Sequence, residues 1–190
     1  MKKRLVIGIS GASGAIVGIR LLQAMREHDE WETHLVYSDA SRRTIEHETS
    51  YSLEEVEEYA DVCHDIENVG ASIASGSFKT EGMVVVPCSM KTLAGVAHGY
   101  ASNLLIRAAD VTLKERRKLV LLTRETPLHM GHLNNMSAAA SIGALIMPMM
   151  MTHYILPQSM EDMEMHMVGK IMNEFGMELP NYRRWQGMPA

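Results

Sequence analysis

The sequence of 190 residues predicts an α/β protein built on a mainly parallel sheet. Apolar runs of strand length alternate along the chain with segments of helical periodicity, and this alternation is typical of a parallel sheet with helices on both faces. Small or hydroxyl-bearing residues follow the first runs. Because ligands of such sheets bind beyond the carboxyl ends of the strands, functional residues are expected in the loops that follow the strands.

The apolar runs predict strands at residues 5–9, 33–37, 83–86, 119–123 and 145–149. The helical patterns predict helices at residues 14–27, 39–47, 52–60, 90–98, 103–116, 130–142 and 159–175. Ser52 and Ser159 each precede carboxylates that fall in the first turn of a predicted helix, where the helix dipole favours negative charge. The chain has no internal repeat and no low-complexity linker, so a single domain over residues 1–190 is expected.

A turn of small residues follows the first strand. Gly8, Gly11 and Gly14 have the spacing G-x-x-G-x-x-G, which differs from the dinucleotide motif G-x-G-x-x-G, and no Walker lysine follows. Backbone N–H groups at the start of the next helix lack intrahelical partners, and a turn almost without side chains lets an anion approach them. The turn therefore indicates either a phosphate site for a nucleotide or flavin, or a tight structural turn.

The later strand ends carry similar residues. Ser38 follows the second strand, the segment 87–92 follows the third, and Arg124 follows the fourth. Each serine also has the simpler interpretation of a helix cap. Two such serine loops, together with the segment 75–77 (Ser-Gly-Ser), favour a ligand site over caps alone.

Two cations lie on one face of the helix predicted at residues 103–116. Arg107 and Lys114 are seven positions apart, and Arg107 sits among apolar neighbours, so an anionic partner is expected. Two structural alternatives remain open: Arg107 pairs with Asp110, and Lys114 belongs to a solvated helix end.

The composition narrows the class of protein. Hydrophobic residues make up 46% of the chain and charged residues 22%, as in an ordinary globular domain. A net charge of -5 argues against nonspecific binding to nucleic acid. With Cys63 and Cys88 as the only cysteines and no signal peptide before the first strand, the reducing cytoplasm is the expected compartment, without a disulfide.

Residues 126–160 contain no Asp, Glu, Lys or Arg. The stretch holds no run of 18 consecutive apolar residues, so a membrane span is not expected. Charge depletion is typical of subunit interfaces, and the stretch therefore predicts a homo-oligomer. The 17 methionines indicate flexible core and interface filler rather than copper ligands. His129 and His132 lack a third ligand with suitable spacing, so no metal site is expected.

Five segments in order carry a resemblance to a known family. They are GISGASGA at 8–15, ASGS at 74–77, PCSMKTLAG at 87–95, RAADVTLKERRKLVLLTRETPL at 107–128 and YILPQS at 154–159. Together they resemble the UbiX-type flavin prenyltransferases over nearly the whole chain. The RETPL segment and RRWQG at 183–187 resemble the branch associated with phenolic (hydroxyaryl) acid decarboxylases.

The resemblance implies a Rossmann or flavodoxin-like three-layer fold and a specific reaction. A dimethylallyl group from dimethylallyl phosphate is joined to N5 and C6 of reduced FMN, and the product, prenylated FMN, is passed to a separate decarboxylase. A homo-oligomer is implied, a dodecamer in the family, with the tail at about 176–190 packed on a neighbouring subunit. The resemblance implies FMN contacts at Gly11, Ala12, Ser13, Ser38, Ser89, Met90, Lys91, Thr92 and Arg124, and prenyl phosphate contacts at Tyr154, Lys170, Arg107, Lys114 and Glu125.

The same resemblance implies catalytic roles for Glu48, Ser13, Lys114 and Arg107. Glu48 matches the acid/base residue of the family, and the cations would stabilise a leaving phosphate without a metal. Asn134 and the segment 149–151 depart from the family pattern and bear on the shape of the prenyl pocket. Two other functions stay open: a noncatalytic FMN-binding subunit of a hydroxyaryl acid decarboxylase, and a relative of the flavin-dependent cysteine decarboxylases.

Overall fold

A computed structural model of the chain describes residues 2–188 and contains one six-stranded sheet with all strands parallel. The strands are β1 Lys3–Ile9, β2 Trp31–Tyr37, β3 Val62–His64, β4 Gly82–Cys88, β5 Lys118–Thr123 and β6 Ala144–Ile146. Their spatial order is β3-β2-β1-β4-β5-β6, so the chain reverses its direction of travel across the sheet between β1 and β4. A doubly wound sheet has its ligand crevice at such a reversal.

The seven predicted helices are confirmed, and they cover both faces of the sheet. They are α1 Ala15–Met25, α2 Asp39–Glu48, α3 Leu53–Glu58, α4 Met90–Ala97, α5 Leu104–Lys114, α6 Met130–Ser141 and α7 Met160–Glu174. A short 3-10 turn, Ser72–Ala74, lies between β3 and β4. The capping box predicted at Ser52 is present, with Glu55 returning the hydrogen bond.

Two strand assignments needed the tertiary structure. The edge strand Val62–His64 was missed because it has only three residues and no continuous apolar run. The last predicted strand, 145–149, is shorter than expected, but Met147 and Met149 still donate backbone hydrogen bonds to β5 at 2.9 and 3.0 Å. Pro148, between them, has no N–H to donate.

The core is divided by the sheet into two apolar clusters. Alternate strand residues face opposite sides, so Ile7 packs in the cluster beneath α1 and α7 while Val6 packs in the cluster beneath α4 and α5. All seven residues of β4 are buried, as expected for a central strand covered on both faces. Helix α6 contributes little to either cluster, because only Ala139 of its twelve residues is buried.

Gly18 sets the distance between α1 and the sheet. A Cβ at this position would lie 2.6 Å from the carbonyl oxygen of Val86 on β4, so only glycine lets the helix lie this close. None of the helices within residues 2–188 is both long and apolar enough to cross a lipid bilayer.

The contact at Gly18 predicts that Gly18→Ala lowers the free energy of unfolding by about 1–3 kcal/mol, because the overlap with a backbone oxygen outweighs the gain in helix propensity. Urea denaturation followed by circular dichroism measures the change. Gly70→Ala is the matched control, since the nearest atom to a Cβ there is a side-chain oxygen at 3.5 Å. Equal stability of the two variants would contradict this account of α1 packing.

Candidate functional site

A crevice of about 430 Å³ opens at the reversal point of the sheet, at the carboxyl end of the strands. Its volume falls in the usual range for small-molecule sites. One wall comes from the loop after β1 and the start of α2, and the other from the loop after β4 and the start of α5. The lining residues are Gly11, Ser38, Asp39, Ala40, Ile66, Glu67, Ser89, Lys91, Thr92, Ser102, Asn103 and Ile106.

A fully buried hydroxyl joins the two central strands at the base of the crevice. Ser10 Oγ donates to the carbonyl oxygen of Pro87 at 2.9 Å and accepts from the backbone N–H of Ser89 at 2.7 Å. The Ser10 N–H also donates to Pro87 O at 3.2 Å. The loop after β4 is therefore fixed directly to the end of β1.

The opposite wall is fixed by a second buried serine and by Gly11. Ser41 Oγ lies 2.9 Å from the carbonyl oxygen of Ile9 and 2.6 Å from that of Ser38, positions from which it donates to one or the other. A Cβ at Gly11 would overlap the Cβ of Ala40. Close packing of α2 on the loop therefore explains Gly11. Of the two alternatives raised by the sequence, this packing supports the tight structural turn.

Three helices begin at the crevice. Their N-cap residues are Ser38, Ser89 and Asn103, and each side chain accepts a hydrogen bond from the backbone N–H three residues further on. The serines are thus helix caps, as the simpler interpretation proposed. The caps also bring the positive ends of three helix dipoles to one cavity, which favours a bound anion.

The start of α1 holds a carboxylate of the protein itself. The N–H of Gly14 donates to Glu48 Oε2 at 2.8 Å, and Gly14 adopts a φ of 99°, a conformation that favours glycine. The sequence predicted that N–H groups at the start of this helix are available to a phosphate. In the structure the Gly14 N–H is instead occupied by Glu48. Glu48, the last residue of α2, is exposed and, like Ser13, is not among the residues that line the crevice.

Lys91 and Arg124 bring unpaired positive charge to this edge of the sheet. Both side chains belong to exposed residues, and neither forms an ion pair within residues 2–188. The backbone N–H of Arg124 donates to Cys88 O at 3.1 Å, which fixes the end of β5 to β4. Burial raises the pKa of the Cys88 thiol to about 12, so this cysteine is a protonated core residue.

The cations of α5 have partners within the chain. Arg107 Nη1 contacts Asp110 Oδ2 at 2.7 Å, and its Nε donates to the carbonyl oxygen of Ala74 at 3.3 Å. Lys114 pairs with Glu115 and holds the pKa of that carboxyl below its usual value. Since α5 starts at the crevice, its last residue Lys114 lies about 15 Å away along the helix axis.

Tyr154 and Lys170 belong to another cluster, centred on α7. The hydroxyl of Tyr154 lies 3.2 Å from Nε2 of His166. Burial first, and then the charge of Lys170, lower the pKa of His166. A cavity of about 330 Å³ lies beside this cluster, between α7 and the C-terminal segment. Within one chain, Lys114, Tyr154 and Lys170 are absent from the lining of the crevice at the reversal point.

The C-terminal tail contacts its own chain as far as it is described. Arg183 Nη1 donates to Ile155 O at 3.0 Å, and the Trp185 ring packs against Tyr154. The predicted packing of the tail on a neighbour therefore stays a prediction, and its final residues 189–190 lie outside the described part of the chain.

Several residues at these sites carry no clear signal in the sequence. Asn103 was recognisable as an N-cap before an apolar helix, but Glu67 and Ile66 reach the crevice from a loop whose course the sequence does not reveal. Ser10, Ser41 and His166 are identified only by burial and hydrogen bonding. His129 and His132 stack with ring centroids 3.6 Å apart, and residues 2–188 contain no group of three or more His, Cys, Asp or Glu suited to a metal ion.

Comparison with known proteins gives consistent matches over nearly the full chain. The Flavoprotein family model matches residues 1–175. The flavin prenyltransferase UbiX of Escherichia coli K12 is 56% identical over 187 residues, which cover 97% of this chain and 99% of that protein.

Two solved structures share the fold closely. AnUbiX (PadA1), solved in complex with FMN and dimethylallyl pyrophosphate, superposes with a TM-score of 0.97 at 43% identity, covering 100% of both chains. A dodecameric FMN-dependent UbiX-like decarboxylase from Escherichia coli O157:H7 superposes with a TM-score of 0.95 at 50% identity, covering 97% of this chain and 100% of that one.

The hydrogen bonds of Ser10 predict that Ser10→Ala lowers the free energy of unfolding by about 1–3 kcal/mol, because Pro87 O and the Ser89 N–H lose their shared partner. Chemical denaturation measures the change. Ser141→Ala is the control, since its hydroxyl donates to a backbone carbonyl at an exposed site on α6. If both substitutions have the same small effect, the Ser10 hydroxyl does not hold the two strand ends together.

Proposed function

Because this chain belongs to the Flavoprotein family and, within it, to the UbiX-type flavin prenyltransferases, we propose that its crevice holds the flavin that is prenylated. The activity is that of a transferase, which makes prenylated FMN from FMN and dimethylallyl phosphate. The observation that carries the placement is the convergence of three helix N-termini on one cavity at the reversal of the sheet.

Five of the nine FMN contacts predicted from the sequence lie at this crevice. Gly11, Ser38, Ser89, Lys91 and Thr92 all line it. The positive helix ends and the Lys91 ammonium suit the phosphate of FMN. We propose that Ala12, Ser13, Met90 and Arg124, which lie outside the lining, complete the flavin contacts.

Glu48 is proposed to move the proton that ring closure releases from C6 of the flavin. Its carboxylate is held at the N–H of Gly14, at the carboxyl edge of the sheet where the crevice opens. A fixed carboxylate beside the reacting ring can act as a general base. Departure of the phosphate is a separate step, in which the C–O bond of dimethylallyl phosphate breaks and preorganised cations stabilise the anion.

The prenyl phosphate site is proposed to be completed between subunits. Lys114 lies at the far end of α5 from the crevice, Lys170 is on α7 and Tyr154 contacts α7, so one chain does not assemble the predicted set. The charge-free helix α6 is largely exposed to solvent: Met130 is 67% exposed and Leu133 is 44% exposed. Burial of this face in a homo-oligomer, as in the dodecameric relative, would bring cations from a neighbour to each crevice.

The proposed reaction uses no metal ion, because side-chain cations take the role of neutralising the leaving phosphate. Arg107, Lys114 and Lys170 supply that charge in the assembled site, and Tyr154 adds a hydrogen-bond donor. The product is proposed to pass to a separate aromatic acid decarboxylase, and the RETPL and RRWQG segments favour the phenolic acid branch. A purely FMN-carrying subunit would need the crevice but not this set of cations.

We expect Glu48→Gln to reduce turnover by about 100-fold or more while both substrates still bind, because glutamine keeps the hydrogen bond to Gly14 and loses the basic oxygen. Mass spectrometry of the flavin, after anaerobic incubation with reduced FMN and dimethylallyl phosphate, measures turnover. Glu46→Gln, an exposed change on the same helix, is the control. Normal turnover in the Glu48 variant would remove this residue from the mechanism.

Excess EDTA in the same assay is expected to leave the rate unchanged, because the leaving phosphate is neutralised by side chains. A loss of turnover that added magnesium restores would contradict the metal-free mechanism.

Co-expression of Glu48→Gln with Lys114→Ala tests the shared site. If Glu48 and Lys114 act in one site from different chains, random mixed oligomers regain about a quarter of wild-type activity, since that fraction of sites receives both intact residues. Light scattering with mass analysis checks that oligomers form. Activity no higher than the sum of the two separate variants would show that both residues serve a site within one chain.

A further inference from the structure

His166 lies against Tyr154 in the cluster on α7, and its ring is enclosed by aromatic side chains. The residue is 7% exposed. Tyr182 stacks on the imidazole with ring centroids 5.0 Å apart, and Tyr154 meets it edge-on at 5.6 Å. The single polar contact of the ring within residues 2–188 is the one between Nε2 and the Tyr154 hydroxyl, at 3.2 Å.

The other ring nitrogen determines which tautomer is present. Nδ1 is buried and has no hydrogen-bond partner within the described residues. Because burial and Lys170 lower the pKa of His166, the ring is neutral at pH 7 and carries one N–H. A proton on Nδ1 would be a buried unpaired donor, which is costlier than an unpaired acceptor. The proton therefore resides on Nε2 and is donated to the Tyr154 oxygen.

This tautomer determines where the Tyr154 hydrogen points. With its oxygen accepting from His166, the phenol directs its own O–H away from the imidazole, and Tyr154 is 51% exposed. We infer that His166 is a positioning residue that aims the Tyr154 hydroxyl at the phosphate of dimethylallyl phosphate. The inference rests on the proposed function, which places Tyr154 at that phosphate.

The surrounding packing keeps the imidazole in this orientation. Gly169 lies one turn beyond His166 on the same face of α7, and a Cβ there would overlap the Tyr182 ring. Glycine thus lets Tyr182 lie close to the helix and over the imidazole. A hydroxyl whose hydrogen is already aimed loses less freedom when it binds an anion, and donation to a charged acceptor is strong.

The test compares two substitutions of His166. His166→Leu is expected to weaken binding of dimethylallyl phosphate about fivefold, the effect of losing one oriented hydrogen bond. His166→Gln places an N–H near the position of Nε2 and is expected to bind within about twofold of the wild type. Titration calorimetry in phosphate-free buffer with oxidised FMN bound measures the affinity without turnover, and FMN affinity is expected to stay unchanged. Glutamine and leucine variants that bind equally weakly, or a leucine variant that binds normally, would overturn the inference.

A double-mutant cycle with Tyr154→Phe separates positioning from packing. In the phenylalanine background no hydroxyl remains to aim, so His166→Leu is expected to change the affinity by less than about twofold. An equal loss in both backgrounds would show that His166 acts only through packing and would overturn the inference. Tyr154→Phe alone tests the proposed function: unchanged affinity would mean that Tyr154 does not meet the phosphate, whatever His166 does.

Discussion

The candidate site depends on the hydrogen bonds of Ser10 at the reversal of the sheet. A doubly wound sheet opens a crevice where its connections diverge, but topology alone does not fix how wide that crevice is. Ser10 holds the loop after β4 to the end of β1, and Ser41 holds the start of α2 to the same strand end. Both hydroxyls are fully buried, so neither competes with water for its partners. The two walls of the crevice are therefore positioned from one strand.

The same edge of the sheet carries both positive and negative groups. The N-termini of α2, α4 and α5 face the cavity and Lys91 adds a positive charge, both of which favour an anion, whereas Asp39 and Glu67 add negative charge to the same lining. The N–H of Gly14 at the start of α1 is instead occupied by Glu48. The proposed base and the proposed anion site thus lie at one edge without sharing a helix terminus.

The distribution of the remaining cations favours function in an assembly. Lys114 lies at the end of α5 remote from the crevice, whereas Lys170 and His166 are on α7 and Tyr154 contacts His166. The helix that separates these regions in the sequence, α6, carries no charge and buries only Ala139. A helix with an exposed apolar surface is stabilised by a partner. The proposed prenyl phosphate site and the exposed face of α6 are incomplete in one chain, and a neighbouring copy would complete both.

The sequence by itself determined the layered α/β fold, all seven helices and five of the six strands, because periodicity and caps act over a few residues. It also predicted five of the residues that line the crevice, since these follow strand ends. The edge strand Val62–His64 and the roles of Ser10, Ser41 and His166 were decided only by the tertiary structure. The hydrogen-bond partner of Ser10, Pro87, lies far away in the sequence. The tautomer of His166 is defined by burial, because the fold leaves Nδ1 without a partner within the described residues. Local sequence patterns predict which segments form helices and strands, whereas long-range packing decides which polar atoms come within hydrogen-bonding distance.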